Sequence, residues 1–176
     1  MRHLVLTGAP GAGKTALLEA AAAAGMATSP EVARSILQQP GGMALRESDP
    51  LGFAMAMLDG HLAEYHRFAQ HPGPLLFDRG FPDVVGFLEL SGLPIPEAID
   101  TACRNLRYDG PIFRAPAWSA IFRQDAERIQ DFAGAVASDT VVTGAWRRYG
   151  YHLVDLPLVP VAERLAFITA RAASPD

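Results

Sequence analysis

The chain has 176 residues, 49% of them hydrophobic, which is enough for one domain with a sizeable core. Its formal net charge of -4 at pH 7 argues against nucleic-acid binding, because nucleic-acid-binding domains usually carry a basic surplus. The single cysteine excludes an intramolecular disulfide or a cysteine zinc cluster. No apolar run is long enough to span a membrane, and the first predicted strand leaves no room for a signal peptide. We therefore expect a cytoplasmic protein.

Strands and helices alternate along the chain when clusters of Gly and Pro are taken as breaks. The predicted strands cover residues 2–7, 26–29, 74–78, 108–113 and 151–156. The predicted helices cover residues 14–24, 31–37, 51–70, 82–90, 97–106, 119–133, 134–149 and 161–172, with a loop at 39–50 and a helix break near Gly134. This alternation predicts an α/β fold with a parallel sheet and right-handed crossovers, and we see no linker that would divide residues 1–176.

The turn between the first strand and the first helix fits the phosphate-binding pattern G-x-x-x-x-G-K-[ST], the P-loop. Glycines let such a loop turn its N–H groups inward around an anion, and the following helix adds the positive end of its dipole. Lys14 is expected to reach the terminal phosphates of ATP, and the Thr15 hydroxyl to hold Mg²⁺. The predicted nucleotide-binding residues are Gly8, Ala9, Pro10, Gly11, Ala12, Gly13, Lys14, Thr15 and Ala16.

Asp78 ends the third predicted strand, at the sheet edge where open α/β sheets bind their ligands. A carboxylate at the end of an apolar strand is typical of a Walker B aspartate, which would hold Mg²⁺ together with Thr15. A helix-capping role in the strand-to-helix turn is the alternative. Arg79 follows directly and is predicted to contact substrate or phosphate.

Glu31 follows the second predicted strand, and its position leaves two roles open. It could be a helix first-turn acid that suits the helix dipole, or a general base within hydrogen-bond reach of a phosphate acceptor. Arg34 lies three residues further on, on nearly the same helix face. The two side chains could bind a polar substrate together or pair with each other.

Phosphoryl transfer also needs positive charge on the migrating group, and two arginines are candidates for supplying it. Arg123 and Arg128 lie in the region of about 114–133, which we predict to be a small helical lid. Either could arrive over the phosphates when the lid closes. A solvated charged helix explains either arginine equally well.

Several stretches together resemble the compact AAA-type predicted ATPases grouped near the nucleoside and nucleotide kinases, with ribosylnicotinamide kinase domains as relatives. The matching stretches are 8–15, 30–34, 77–80, 125–128 and 150–164. The resemblance implies a three-layer P-loop NTPase fold with five parallel strands in the order 2-3-1-4-5. It also implies that Glu31 is the catalytic base and that Asp78-Arg79 matches an Asp/Glu-Arg-Ser motif, with Gly80 in place of the serine.

Residues and resemblance together predict a kinase that transfers the γ-phosphate of Mg·ATP to a small, hydroxyl-bearing, nucleoside-like molecule. In this kinase either Glu31 or Asp78 acts on the acceptor hydroxyl. The competing hypothesis is a regulatory ATPase or nucleotide switch that acts on a protein partner. We expect a monomer or homodimer without nucleic-acid or membrane partners.

Overall fold

The computed structural model describes residues 3–122 and 131–173. The strands are β1 (His3–Gly8), β2 (Ala27–Thr28), β3 (Leu75–Asp78), β4 (Ile112–Ala115) and β5 (Leu153–Asp155). The helices are α1 (Lys14–Ala23), α2 (Val32–Leu37), α3 (Gly42–Ser48), α4 (Pro50–Arg67), α5 (Phe81–Leu90), α6 (Glu97–Asn105), α7 (Phe132–Arg148) and α8 (Val161–Ala173). Within the described ranges, no helix is both long enough and apolar enough to cross a bilayer.

The five strands form one parallel sheet in the order β2-β3-β1-β4-β5, which confirms the predicted fold and strand order. The register pairs Leu6 with Asp78 and Gly8 with Ala115. The carboxyl ends of the three central strands therefore meet at one edge of the sheet, directly below the predicted P-loop.

Helices cover both faces of the sheet, because successive residues of each buried strand point to opposite sides. Leu4 and Leu6 of β1 pack in a core cluster with α1 and α8. Val5, between them, belongs to a larger cluster built with α2, α4, α5, α6 and α7. Phe81, the first residue of α5 after the turn that carries Arg79, belongs to this larger cluster.

The loop predicted at 39–50 is wrong, because it contains α3. Gly41 and Gly42 predicted a break, but Gly41 adopts a left-handed conformation (φ 82°) and stands at the start of α3. Asp49 then separates α3 from α4, and its side chain accepts a hydrogen bond from the backbone N–H of Gly52 at 2.9 Å. Two helices thus follow one another with a single residue between them.

Two other boundaries also differ from the prediction. The fourth strand begins at Ile112 rather than Tyr108, whose backbone N–H donates to the hydroxyl of Tyr151 instead of to a neighbouring strand. The helix break near Gly134 does not occur: α7 begins at Phe132, and the preceding Asp131 accepts a hydrogen bond from the N–H of Gly134 at 2.8 Å. Gly134 therefore lies in the capped first turn of the helix.

Replacement of Gly8 by alanine tests how closely β1 approaches β4 at the P-loop. A Cβ on Gly8 would lie 2.3 Å from the carbonyl oxygen of Ala115, and Gly8 has a φ of 113°. We expect Gly8→Ala to lower the free energy of unfolding by on the order of 3 kcal/mol, measured by urea denaturation. In the matched control Gly144→Ala, the new Cβ meets nothing within 4 Å, so α7 should gain up to about 1 kcal/mol. Equal stability of the two variants would contradict the packing described here.

Candidate active site

The P-loop leaves the sheet at Gly8, and the N–H of Ala9 still pairs with the carbonyl of Ala115 at 3.0 Å. Gly11 and Gly13 both have left-handed backbone conformations, with φ of 73° and 76°. Glycine adopts this conformation at little cost, and it turns the chain sharply into the first turn of α1. The strand, loop and helix thus follow the order that a phosphate-binding loop requires.

Lys14 begins α1 and is buried, with 6% of its surface exposed. Its Nζ donates to the carbonyl of Ala9 at 2.6 Å and to that of Gly8 at 3.2 Å. Thr15 and Ala16, the next two residues, are exposed at the mouth of the loop. The ammonium group is therefore held against the loop by its own carbonyls.

Arg164 of α8 binds the backbone of the P-loop, a contact that the sequence analysis did not predict. Its side chain is 1% exposed, and both Nη atoms donate to the carbonyl of Ala12 at 3.1 Å. Burial lowers the pKa of the guanidinium. The sequence pointed to Arg164 in one way, since it lies in the stretch 150–164 that matches the resembling family. No local pattern connects α8 with a loop that is far away in the sequence.

Asp78 and Thr15 line the same groove, as expected for a pair that binds a metal ion. Asp78 is 4% exposed; its N–H donates to the Ser29 hydroxyl at 3.0 Å, but its Oδ1 finds no hydrogen-bond partner among the described residues. Burial, and then the Glu31 carboxylate, raise the pKa of Asp78. A buried carboxylate oxygen without a donor is costly, so the pair could hold Mg²⁺, which prefers oxygen ligands.

Asp83, in the first turn of α5, organises the turn after β3 and was missed by the sequence analysis. Its Oδ1 accepts hydrogen bonds from the hydroxyl of Thr7 at 2.6 Å and from Nη1 of Arg79 at 3.0 Å. Its Oδ2 accepts from the N–H of Gly80 and from Nε1 of Trp146, both at 3.0 Å. These capping bonds from Asp83 argue against a helix-capping role for the earlier Asp78.

Arg79 is held in an unusual backbone conformation by the groups around it. Its φ of 67° is the one positive value at a non-glycine position in the described part of the chain. Its guanidinium donates to Oε1 of Glu31 at 3.3 Å, to Asp83, and to the carbonyl of Gly8 at 3.4 Å. Burial disfavours its charge, but the carboxylates of Asp83, Glu31 and Asp78 outweigh this and raise its pKa. Arg79 thus connects the predicted base with the P-loop.

Gly80 stands where the resembling motif has serine, and the packing explains the difference. A Cβ on Gly80 would lie 2.8 Å from the Tyr108 hydroxyl and 2.9 Å from the ring of Trp146. The two aromatic rings occupy the space that a serine side chain would need. This position therefore serves core packing in this chain.

Glu31 immediately precedes α2, and its carboxylate makes no capping hydrogen bond to the helix. It points instead toward Arg79, and its Oε2 lies 4.0 Å from Nε of Arg34. The geometry agrees with the pairing of Glu31 and Arg34 that the sequence left open. Its place immediately before α2 also agrees with the first alternative, an acid that suits the helix dipole.

A cavity of about 180 Å³ adjoins this group of charges. Its lining includes Gly8 and Pro10 of the P-loop together with Glu31 and Arg79. Its apolar wall includes Leu37, Phe53, Met57, Phe87, Leu90 and Val142. Such a cavity, largely apolar with a few converging polar groups, is typical of small-molecule sites.

His61 of α4 contributes a neutral polar group to the cavity. It is 4% exposed, and its ring centroid lies 6.0 Å from that of Phe81. Burial lowers its pKa to about 4; Asp83 opposes and Arg79 adds to this effect. The sequence analysis assigned no site role to His61, because an isolated histidine on a helix has no local signature.

The predicted lid arginines, Arg123 and Arg128, lie outside the residues that the structure describes. Arg114, at the predicted start of the lid, lies in β4 rather than in a loop. It donates to Asp139 at 2.8 Å and 3.1 Å and to both carboxylate oxygens of Asp155 at 3.0 Å. Arg114 therefore joins β4, β5 and α7 and belongs to the body of the domain.

Comparison with known proteins gives one family match. The model of a family described as AAA domain matches residues 3–164, which is most of the chain. No curated protein matches the chain.

Solved structures share the whole fold at low sequence identity. Deoxyadenosine kinase from M. mycoides with bound dATP superposes with a TM-score of 0.70 at 12% identity, covering 98% of this chain and 100% of the kinase chain. The same enzyme with dCMP and a flexible dCDP superposes with a TM-score of 0.66 at 13% identity, covering 96% of this chain and 97% of the kinase chain. NadR in complex with NR superposes with a TM-score of 0.66 at 15% identity. The match covers 99% of this chain but only 50% of the NadR chain.

The buried His61 should make stability depend on pH. Its pKa of about 4 in the folded chain is below the ordinary histidine value of 6.5, so the unfolded chain binds the extra proton first. Its contribution is fully present above about pH 6.5 and is lost as the pH falls toward 4, by about 2 kcal/mol at pH 5. His61→Gln should remove this part of the pH dependence in urea unfolding, whereas His66→Gln, exposed on the same helix, should keep it. Identical pH profiles for wild type and His61→Gln would contradict the prediction.

Proposed function

We propose that this chain, which belongs to the AAA domain family matched at residues 3–164, is a kinase that transfers the γ-phosphate of ATP to a hydroxyl of a small, nucleoside-like molecule. One observation carries the proposal: Gly8 and Pro10 of the P-loop line the cavity together with Glu31 and Arg79. A molecule in the cavity would thus meet the nucleotide phosphates beside a carboxylate and a guanidinium. A pure ATPase needs no second cavity at this place.

The chemistry follows from these positions. The acceptor hydroxyl oxygen attacks the γ-phosphorus of ATP, the bond from that phosphorus to the bridging oxygen breaks, and ADP leaves. Glu31 takes the hydroxyl proton, and Arg79, which reaches the carbonyl of Gly8 at 3.4 Å, stabilises the charge on the migrating group. Thr15 and Asp78 would hold Mg²⁺, which supplies further neutralisation of the phosphates.

Similarity to the solved kinases supports a nucleoside-like acceptor. Deoxyadenosine kinase shares the fold over the full length of both chains, and NadR is described in complex with NR. At 12% and 15% identity these matches establish the fold, and the substrate class is our extension from it.

The decisive experiment measures ADP release with Mg·ATP, alone and against a panel of nucleosides, nucleotides, sugars and other alcohols. Stimulation by one acceptor, with a phosphorylated product found by mass spectrometry, is the expected result. Basal hydrolysis that no acceptor raises would reject the kinase and favour the regulatory ATPase.

Lys14 is the chain's single lysine, beside 14 arginines, so it is the one side-chain amine that an acylating reagent can modify. We expect an acylating reagent to modify the N-terminal amine and Lys14, and Mg·ATP to protect Lys14 in intact-mass measurements. Lys14→Ala should lower kcat by about 100-fold or more, because a charge on the terminal phosphates is lost. Unprotected labelling together with unchanged activity would remove the P-loop assignment.

Glu31→Gln separates general-base catalysis from nucleotide binding. The amide cannot accept the hydroxyl proton, so kcat should fall by about 10²–10⁴-fold, while ATP binding changes little. Glu97→Gln, exposed in the first turn of α6 and outside both the cavity and the groove with Thr15 and Asp78, is the matched control and should keep wild-type turnover. A Glu31→Gln variant that phosphorylates its acceptor at the wild-type rate would assign the proton to another group.

A further inference from the structure

The described lining of the cavity contains more positively than negatively charged side chains. Three arginines (Arg34, Arg46 and Arg79) face two carboxylates (Glu31 and Asp83) in the described lining. His61, with its pKa lowered to about 4, is neutral near pH 7 and does not change this balance.

Both carboxylates are already engaged by one arginine. Arg79 donates to Glu31 at 3.3 Å and to Asp83 at 3.0 Å, and Asp83 accepts three other hydrogen bonds. Arg34 lies 4.0 Å from Glu31 and also takes part in other interactions. No carboxylate of the described lining therefore remains for Arg46.

Arg46 is half-buried on α3 and lines the cavity. Within residues 3–122 and 131–173 its guanidinium forms no ion pair and no hydrogen bond. Its neighbours in the lining are mostly the apolar side chains of α2, α4 and α5. A guanidinium in such surroundings has lost part of its hydration, so an oxyanion that binds it gains a charge-assisted, bidentate interaction.

From this charge balance we propose that the phosphate acceptor carries an oxyanion, a phosphate monoester or a carboxylate, that binds Arg46. The inference rests on the proposed function. The acceptor then has two ends: a hydroxyl beside Glu31 and the P-loop, and an anionic group beside Arg46. A cavity of about 180 Å³ limits the acceptor to a small molecule, and a cationic acceptor is disfavoured by the surplus of arginines.

The test uses pairs of alcohols that differ in one anionic group: thymidine and thymidine 5′-monophosphate, ribose and ribose 5-phosphate, and panthenol and pantothenate. ADP release and, without ATP, equilibrium dialysis are measured for each compound. The charged member should bind and react at least about tenfold better than its neutral partner. The phosphate pairs and the carboxylate pair show which oxyanion the site takes.

Arg46→Gln locates the effect. It should raise KM for the preferred charged compound by about tenfold or more, with kcat changed little, because Arg46 binds the anion and takes no part in the proposed transfer step. The KM of its neutral partner should stay within about twofold. Arg147→Gln, on an exposed site of α7, removes the same charge without touching the cavity and should behave as wild type.

The results separate this inference from the kinase proposal. A neutral compound that reacts as well as its charged partner, or an Arg46→Gln variant with unchanged KM, overturns the inference and leaves the kinase intact. If no compound of any pair binds or stimulates ADP release, although basal ATP hydrolysis is present, the inference and the kinase proposal are both overturned. A third outcome also overturns the inference: the charged compounds bind more strongly, but Arg147→Gln weakens their binding as much as Arg46→Gln does. The attraction would then come from the overall charge of the protein.

Discussion

The buried carboxylate of Asp83 is the interaction on which the site depends. It accepts hydrogen bonds from Thr7 on β1, from Arg79 and Gly80 after β3, and from Trp146 on α7. A buried charge is stable only when it is paired and hydrogen-bonded, and Asp83 meets this condition with donors from separate parts of the chain. The end of the central strand, the turn after its neighbour and the packing of α5 on α7 are thereby fixed together.

The position of the predicted base follows from this arrangement. Arg79 binds Asp83 with one part of its guanidinium and Glu31 with another, and it also reaches the carbonyl of Gly8. A planar guanidinium can hold several acceptors in a fixed geometry, which a lysine ammonium cannot do as well. The P-loop, the predicted base and the cavity lining are therefore joined by one group of hydrogen bonds, and Lys14 donates to carbonyls of the loop itself.

The sequence predicted those features that have a local signature. The P-loop is a contiguous pattern of eight residues with a strand before it and a helix after it, and the alternation of apolar strands and helices predicts the parallel sheet. Errors arose where local signals were ambiguous: Gly41-Gly42 predicted a loop where α3 begins, and Gly134 predicted a break inside a capped first turn. The first depends on a left-handed backbone conformation at Gly41 and the second on a hydrogen bond from Gly134 to the Asp131 side chain, and composition reveals neither.

The sequence by itself thus determined the fold class and predicted a phosphate-binding loop, because the signals for both lie in residues that are close together in the chain. The tertiary structure alone decided which distant side chains meet there: Asp83 under Arg79, Arg164 behind Ala12, and His61 and Arg46 in the cavity wall. The physical reason is that a P-loop is closed by bonds between near neighbours, whereas a pocket is formed by helices whose order in space follows from packing on the sheet.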